Sequence, residues 1–256
     1  MDGSQGRADA QPAAALPRAV GILGGMGPAA GADFARLFVR ACADWLQAAG
    51  RPVHDQAFPP HWLAQLPLPD RTQALTRGGA AFDATLAPMR EAIGRLRDLG
   101  AVAVAMACNT AHAWHAPLQA ALPEIDLLHI ADETAAQLRA RGVTGVGLMA
   151  TQGTYQQQLY DRALQRAGIA CHRPDEAGRE LLMRGIYAGV KTGDLALAER
   201  CFVSVGEALR ARHGELPLIM GCTEIPLALD GAAAARDWTL INPAQVLAQA
   251  LARRAY

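Results

Sequence analysis

Two cysteines stand where the sequence pattern puts chemistry. Cys108 lies in VAMACNT (residues 104–110) and Cys222 in LIMGCTE (residues 218–224). Each follows an apolar run that reads as a buried strand, and each precedes a helical pattern. Open α/β sheets bind ligands at the carboxyl ends of their strands, so both are site positions. A thiol at a helix start is also expected to have its pKa lowered from about 8.5. Across a cleft, one thiolate can take a proton from a carbon while the opposite thiol delivers one to the other face. That inverts a stereocentre, provided both groups titrate near the working pH. Cys42 and Cys201 fall inside helical patterns, and Cys171 follows one in GIACHRP. These three read as packing or surface residues.

The elements that must position the two thiols alternate along the chain. Strands are expected over 19–24, 53–58, 101–107, 127–130, 145–149 and 216–220. Helices are expected over 28–49, 79–98, from about 111, 131–141, 155–167, 195–213 and 242–254. The Pro-rich stretch 59–71, PPHWLAQLPLPDR, reads as a loop. Strand–helix alternation implies an α/β architecture with parallel sheets.

A repeat is visible. VGILGGMGP (residues 20–28) aligns with VGLMATQGT (residues 146–154), which superposes Gly27 on Gly153 and Phe34 on Tyr160. VAMACNT aligns with LIMGCTE and superposes the two cysteines. The expectation is two similar Rossmann-like or flavodoxin-like domains related by pseudo-twofold symmetry, with the active site in the cleft between them. Residues 1–18 are expected to be a disordered tail, 19–125 with 240–256 the first domain, and 126–239 the second.

Bulk properties narrow the function. The formal net charge is zero, so no nucleic-acid partner is expected. No apolar run approaches the roughly 18 residues of a membrane span, so no membrane partner is expected either. The five cysteines are odd in number and scattered, with no C-x-x-C pair and no secretion signal in the first 18 residues. That argues against a disulfide framework or structural zinc site and for a reducing cytoplasm. His112 and His115 are three apart, but no further metal ligands stand near them in sequence.

GILGGMGPAAG (residues 21–31) fits the G-x-G-x-x-G/A pattern of a dinucleotide-binding turn. The matching acidic residue would be Asp44, which falls inside the first helix rather than after a second strand. The repeat counterpart ATQGT keeps one glycine and loses the pattern. The turn therefore reads as one wall of a small-ligand pocket lined by Met26, with no cofactor expected.

Taken together, GILGGMGP, PDRT (residues 69–72), CNTAH (108–112), LMATQGT (148–154), MRGIYAGVKTGD (183–194) and GCTEIP (221–226) resemble the motifs of the aspartate/glutamate racemase family, which uses no pyridoxal phosphate. They occur in that family's order and cover nearly the whole chain after residue 18. The CTE form is more similar to aspartate racemases than to cell-wall glutamate racemases.

The resemblance implies that Cys108 and Cys222 are the two acid–base residues. It implies that Asn109, Thr110, Thr151, Thr154 and Thr223 hold the substrate α-carboxylate, and that Arg71 and Lys191 hold its side-chain carboxylate. Short polar residues at helix starts also cap helices, and both uses can coincide. The plainer alternative for Arg71 and Lys191 is a solvated surface charge; in a long loop, Arg71 could ride on a lid. Glu224 could orient or protonate groups in the cleft. Asn242 stands where the family often has Asp, which leaves it a capping role at the last helix. The resemblance further implies an amino-acid substrate, aspartate before glutamate, and a homodimer. The alternatives are a related isomerase or decarboxylase acting on a dicarboxylate such as maleate, a Cys–His hydrolase using His112, and a non-catalytic binding protein.

Overall fold

A computed structural model describes residues 16–256. The strands are β1 (Val20–Gly24), β2 (His61–Gln65), β3 (Ala103–Met106), β4 (Asp126–Leu127), β5 (Gly145–Ala150), β6 (Ala170–His172), β7 (Leu218–Gly221) and β8 (Leu240–Ile241). The helices of the first half are α1 (Pro28–Ala48), α2 (Arg71–Arg77), α3 (Gly79–Asp98), α4 (His115–Ala121) and α5 (Ile130–Ala140). Those that follow are α6 (Gln152–Gln156), α7 (Leu159–Arg166), α8 (Glu176–Arg184), α9 (Leu195–His213), α10 (Ile225–Leu229) and α11 (Pro243–Ala255).

The strands form two parallel sheets with the orders β2-β1-β3-β4 and β6-β5-β7-β8. The second order is the first repeated, so the sequence repeat is a repeat of topology. β1 and β3 are buried along their whole length, as are β7 and all but the first residue of β5. Such strands need apolar residues on both faces, which explains their unbroken apolar runs. Phe34, Phe38, Leu247 and Leu251 pack one face of the first sheet. Met89, Ile93, Trp114 and Leu118 pack the other. Tyr160, Leu164, Phe202 and Leu209 fill the core of the second half.

Several expected boundaries change. Residues 53–58 are not a strand: Asp55–Ala57 is a single 3-10 turn. The second strand instead lies inside the Pro-rich stretch read as a loop, as β2. Arg71 does not ride on a loop either; it is the first residue of α2, capped by the Asp70 side chain, which accepts from the Gln73 amide at 2.9 Å. Residues 128–130 leave the strand expected there, because His129 caps α5 and Ile130 begins it. The helix expected over 155–167 is two, α6 and α7, parted at Gln158 by a left-handed backbone angle (φ 52°).

Sheet membership moves the division between the halves. β4 belongs to the first sheet and β8 to the second, so the expected cuts at 126 and 240 each fall just before a strand of the half being left. The tail expected over 1–18 lies outside the described residues except for its end. There the Arg18 amide donates to the Ala255 carbonyl at 2.7 Å, which ties the entry of β1 to the end of α11.

Candidate functional site

Each cysteine leaves its strand at the carboxyl end. Cys108 follows β3 by two residues and Cys222 follows β7 directly. β3 and β7 hold the same place in their sheets, so the two thiols occupy equivalent positions in the repeat. Both are buried and both line one cleft of about 280 Å³, its open mouth included. Met26, Arg71, Thr110, Thr151, Lys191 and Glu224 line it with them. The sequence reading thus converges on one place from six separate segments. Asn109, Thr154 and Thr223 stand one shell behind the lining. Four further residues line the cleft, and no sequence signal marks them: Asp70, Thr72, Ile186 and Tyr187.

The surroundings of the two thiols differ. The Cys222 thiol donates to Glu224 Oε2 at 2.9 Å, and Thr223 Oγ1 donates to the same oxygen at 3.1 Å. Burial pushes the Cys222 thiol well above its ordinary pKa, and the Glu224 carboxylate pushes it further. Burial also raises Cys108, but the Arg71 guanidinium beside it works in the opposite direction. The lowered thiol pKa expected from a helix start is therefore not found. Taking a thiolate out of water outweighs the helix end here. A 3-10 turn (Thr110–Trp114) rather than an α-helix begins two residues after Cys108, and the Ala111 amide that it turns toward the thiol lowers the pKa by less than burial raises it.

Arg71 is fixed rather than mobile. Its Nη1 donates to the Leu68 carbonyl at 3.2 Å and the Pro69 carbonyl at 2.9 Å, and its Nη2 donates to the Met26 carbonyl. Nε is buried without a partner and remains free to meet an anion. Lys191 lies exposed at the mouth, its ammonium 4.2 Å from the centre of the Tyr187 ring. The Tyr187 hydroxyl donates to Asp70 Oδ2 at 2.5 Å, joining the second half to the first. Burial alone would raise the Asp70 carboxyl. The Tyr187 hydroxyl, the Gln73 amide, Lys191 and Arg71 outweigh it and hold the carboxyl below its ordinary value.

Three hydroxyls meet across the same boundary, two of them on the cleft and that of Thr154 behind. Thr110 lies 2.8 Å from Thr151 and 3.3 Å from Thr154, and the latter two are 3.0 Å apart. Thr151 also caps α6, accepting from the Thr154 amide at 3.2 Å. Capping and cleft lining therefore coincide in Thr151. Gly153 permits this approach: a Cβ there would lie 2.9 Å from Thr110 Cγ2 and 3.0 Å from Thr72 Oγ1. Asn109 receives a hydrogen bond from the Tyr160 hydroxyl on its Oδ1, while its Nδ2 is buried without a partner.

The glycine turn has a local explanation. Gly25 has φ +88°, and a Cβ there would sit 2.3 Å from the Leu66 amide nitrogen and carbonyl oxygen. The chain's own backbone after β2 approaches the turn closely here, which is why the position takes a glycine. Asn242 lies at the end of β8 and accepts from the Ala244 amide at 3.0 Å, the capping role expected for it. His112 turns its Nδ1 to the carbonyls of Cys108 and Asn109, at 2.9 and 3.2 Å, and not to the thiol. A Cys–His nucleophile pair is thereby ruled out, since no ring nitrogen meets the sulfur.

Comparisons with known proteins bear on the family and the fold. The model of a family described as Asp/Glu/Hydantoin racemase matches residues 23–251. A broad-specificity amino-acid racemase of Bacillus subtilis (strain 168) is 23% identical over 82% of this chain and 87% of its own. The solved structure of the Picrophilus torridus aspartate racemase superposes with a TM-score of 0.73, at 26% identity, covering 93% of this chain and 94% of that one. The fold is shared with the glutamate racemase isoform RacE1 of Bacillus anthracis, at a TM-score of 0.61 and 21% identity over 93% and 82% of the two chains.

Proposed function

The chain belongs to the Asp/Glu/hydantoin racemase family and is an amino-acid racemase, and from that premise we propose that it interconverts L- and D-aspartate, with glutamate second, by two-thiol proton transfer at the α-carbon. The observation that carries the mechanism is the pairing of Cys108 and Cys222 on one cleft from equivalent strand ends. One cysteine, as thiolate, takes the α-proton from one face. The other, as thiol, gives a proton to the opposite face, and the two exchange roles for the reverse reaction.

An α-proton of an amino acid is hard to remove, because the carbanion needs its charge spread into the carboxylate. Donors aimed at that carboxylate stabilise the enolate-like state. Thr110, Thr151 and the unpartnered Nδ2 of Asn109 are the candidates for this, with Thr154 and Thr223 supporting them from behind. Aspartate is favoured over neutral amino acids by the two cations at the cleft, Arg71 and Lys191. Arg71 presents a fixed guanidinium and Lys191 a point charge to the side-chain carboxylate.

The cellular setting belongs to the same proposal. All five cysteines are free thiols, and a mechanism needing two of them suits the reducing cytoplasm. Among the described residues, no helix is long and apolar enough to cross a membrane. A homodimer is proposed as the working form. The edge strand β2 exposes Trp62 and Leu63, with Leu99 of the adjoining turn also exposed, and sedimentation of the full chain tests it.

Incubation in D₂O tests the reaction directly. Deuterium enters the α-position of L- and D-aspartate with the wild-type chain, and Cys108→Ser or Cys222→Ser abolishes racemisation. Absence of exchange with both acidic amino acids refutes the substrate, and full activity in either variant refutes the two-thiol mechanism.

A further inference from the structure

An α-amino acid brings a cation to the cleft as well as its carboxylates. Thr110, Thr151 and Asn109 are set against the α-carboxylate, and Arg71 and Lys191 against the side chain. These donors and cations leave the α-ammonium without a counter-charge.

Two carboxylates line the cleft, Asp70 and Glu224. Asp70 is committed elsewhere. Its Oδ1 accepts from the Gln73 amide at 2.9 Å and its Oδ2 from the Tyr187 hydroxyl at 2.5 Å, and Arg71 and Lys191 already answer its charge. Glu224 is committed on one side only. Its Oε2 accepts from the Cys222 thiol and from Thr223 Oγ1. Its Oε1 accepts from nothing among the described residues, yet it is not sealed off from the cleft that Glu224 lines. No arginine, lysine or histidine pairs with Glu224 among the described residues. The side chain is 5% exposed. A buried carboxylate with one bare oxygen calls for a cationic donor.

There is room for a small donor. Oε1 faces Gly27 of the glycine turn, where an added Cβ would lie 3.6 Å from it and, chain neighbours aside, would meet no other atom within 4 Å. Gly27 has φ −95° and ψ 168°, which any residue adopts. The backbone does not require glycine here, and the lack of a side chain leaves a gap of about one methyl group against Oε1.

The gap also lies where an amino group would arrive. Burial raises both thiols, and the Glu224 carboxylate adds to the rise at each, opposed at Cys108 by Arg71. Glu224 therefore stands within charge reach of both sulfurs. If the thiols serve the two faces of an α-carbon, that carbon lies between them, and a substituent on it lies beside Glu224.

We propose that Glu224 Oε1 receives the substrate's α-ammonium in the gap before Gly27, and that this contact selects amino acids over acids of the same length that lack the amino group. The inference rests on the racemase reading, which places an α-carbon between the thiols. The ammonium offsets the push of Glu224 on both thiols, so an amino acid eases thiolate formation where its deamino analogue does not. The same contact keeps the nitrogen protonated, and an α-proton beside an ammonium is more acidic than one beside a neutral amine.

Calorimetric titration of the full chain at neutral pH reads the contact without turnover. The ligands are L-aspartate with succinate, L-glutamate with glutarate, and L-alanine with propionate. In the pair that binds best, the wild-type chain is expected to hold the amino acid at least about tenfold more tightly than its deamino partner, the worth of one charge-assisted contact. Glu224→Gln is expected to weaken the amino acid by about tenfold and to leave the deamino acid as tight or tighter, because a like charge is removed from beside it. Gly27→Ala puts a methyl group in the gap and is expected to weaken the amino acid more than its partner. Three results overturn the proposal: no preference in the wild-type chain, a preference that survives Glu224→Gln, or equal weakening of both members of the pair in both variants. A preference shown with glutamate or alanine instead of aspartate, and lost in Glu224→Gln, refutes the aspartate reading and leaves this contact standing.

Discussion

The thiol of Cys222 donates to Glu224 Oε2 at 2.9 Å, while Cys108 has the Arg71 guanidinium beside it. The two thiols are therefore alike in place and unlike in electrostatics. An adjacent carboxylate disfavours a thiolate, and an adjacent guanidinium favours one. At rest, Cys222 is the stronger holder of a proton. Replacing Glu224 with Gln removes the like charge and leaves burial as the main upward influence. The expected result is a lower midpoint for Cys222 alkylation by iodoacetamide in a pH series read by mass spectrometry, with Cys108 little changed. An unchanged or raised midpoint would show that Glu224 does not hold the Cys222 proton.

Arg71 has two separable roles. Its guanidinium satisfies two backbone carbonyls beside the PDR turn and that of Met26 in the glycine turn, and it lies against Cys108. Arg71→Met keeps most of the stem and removes the donors and the charge. Loss of the carbonyl contacts should cost about 1–3 kcal/mol in a denaturant midpoint. Loss of the cation raises Cys108 further and slows its alkylation at neutral pH by roughly several-fold, one pKa unit being tenfold in thiolate. A variant that loses stability but alkylates at the wild-type rate would confine Arg71 to the turn.

The parts of this molecule that could be read from sequence are those with a one-dimensional signature. β3 and β7 are buried on both faces, so they appear as unbroken apolar runs ending at Cys108 and Cys222. β2 escaped because it is an edge strand, mostly exposed and hemmed by Pro59, Pro60, Pro67 and Pro69. Proline is tolerated at such an edge, where no ladder bond is lost. β6 and β8 have three and two residues, too few to show a period. The site residues without an assigned role make their contacts far along the chain. Asp70 and Tyr187 are 117 residues apart, and no spacing rule relates them. The thiol pKa values depart from the helix-start expectation for a similar reason: the helix start is local, but burial is set by the whole fold.

The Tyr187–Asp70 bond is one of the few side-chain ties between the halves at the mouth of the cleft. Tyr187→Phe deletes only the hydroxyl, and the site is half-buried, so global stability should fall by no more than about 1 kcal/mol. Without its donor, Asp70 is freer to pair with Lys191 and compete with a substrate carboxylate. The measurable result is a rise in KM for aspartate of roughly several-fold with kcat changed less. A fall in kcat at constant KM would place the hydroxyl in the chemical step instead.

The histidine cluster makes stability depend on pH in a defined direction. Burial lowers His129 to about 4 and takes His112 well below its usual value, with the neighbouring imidazoles adding to both. A histidine whose folded pKa is depressed binds fewer protons in the folded state than in the unfolded one. Stability is then full above the unfolded pKa of about 6.5 and declines as the pH falls toward the folded value. Each such group contributes a slope approaching 1.4 kcal/mol per pH unit inside that window. Asp132 raises the His129 value and so softens the dependence, while Arg166 lowers it and adds to it. His129→Asn keeps a competent cap for α5, because an Asn side chain accepts from the same amide, and it removes one titrating ring. The urea midpoint of the wild-type chain is expected to fall steadily from pH 6.5 to pH 4, and that of His129→Asn to fall less steeply. Parallel curves for the two chains would mean that His129 is not part of the linkage, and a midpoint that rises on acidification would reverse the sign assigned to the cluster.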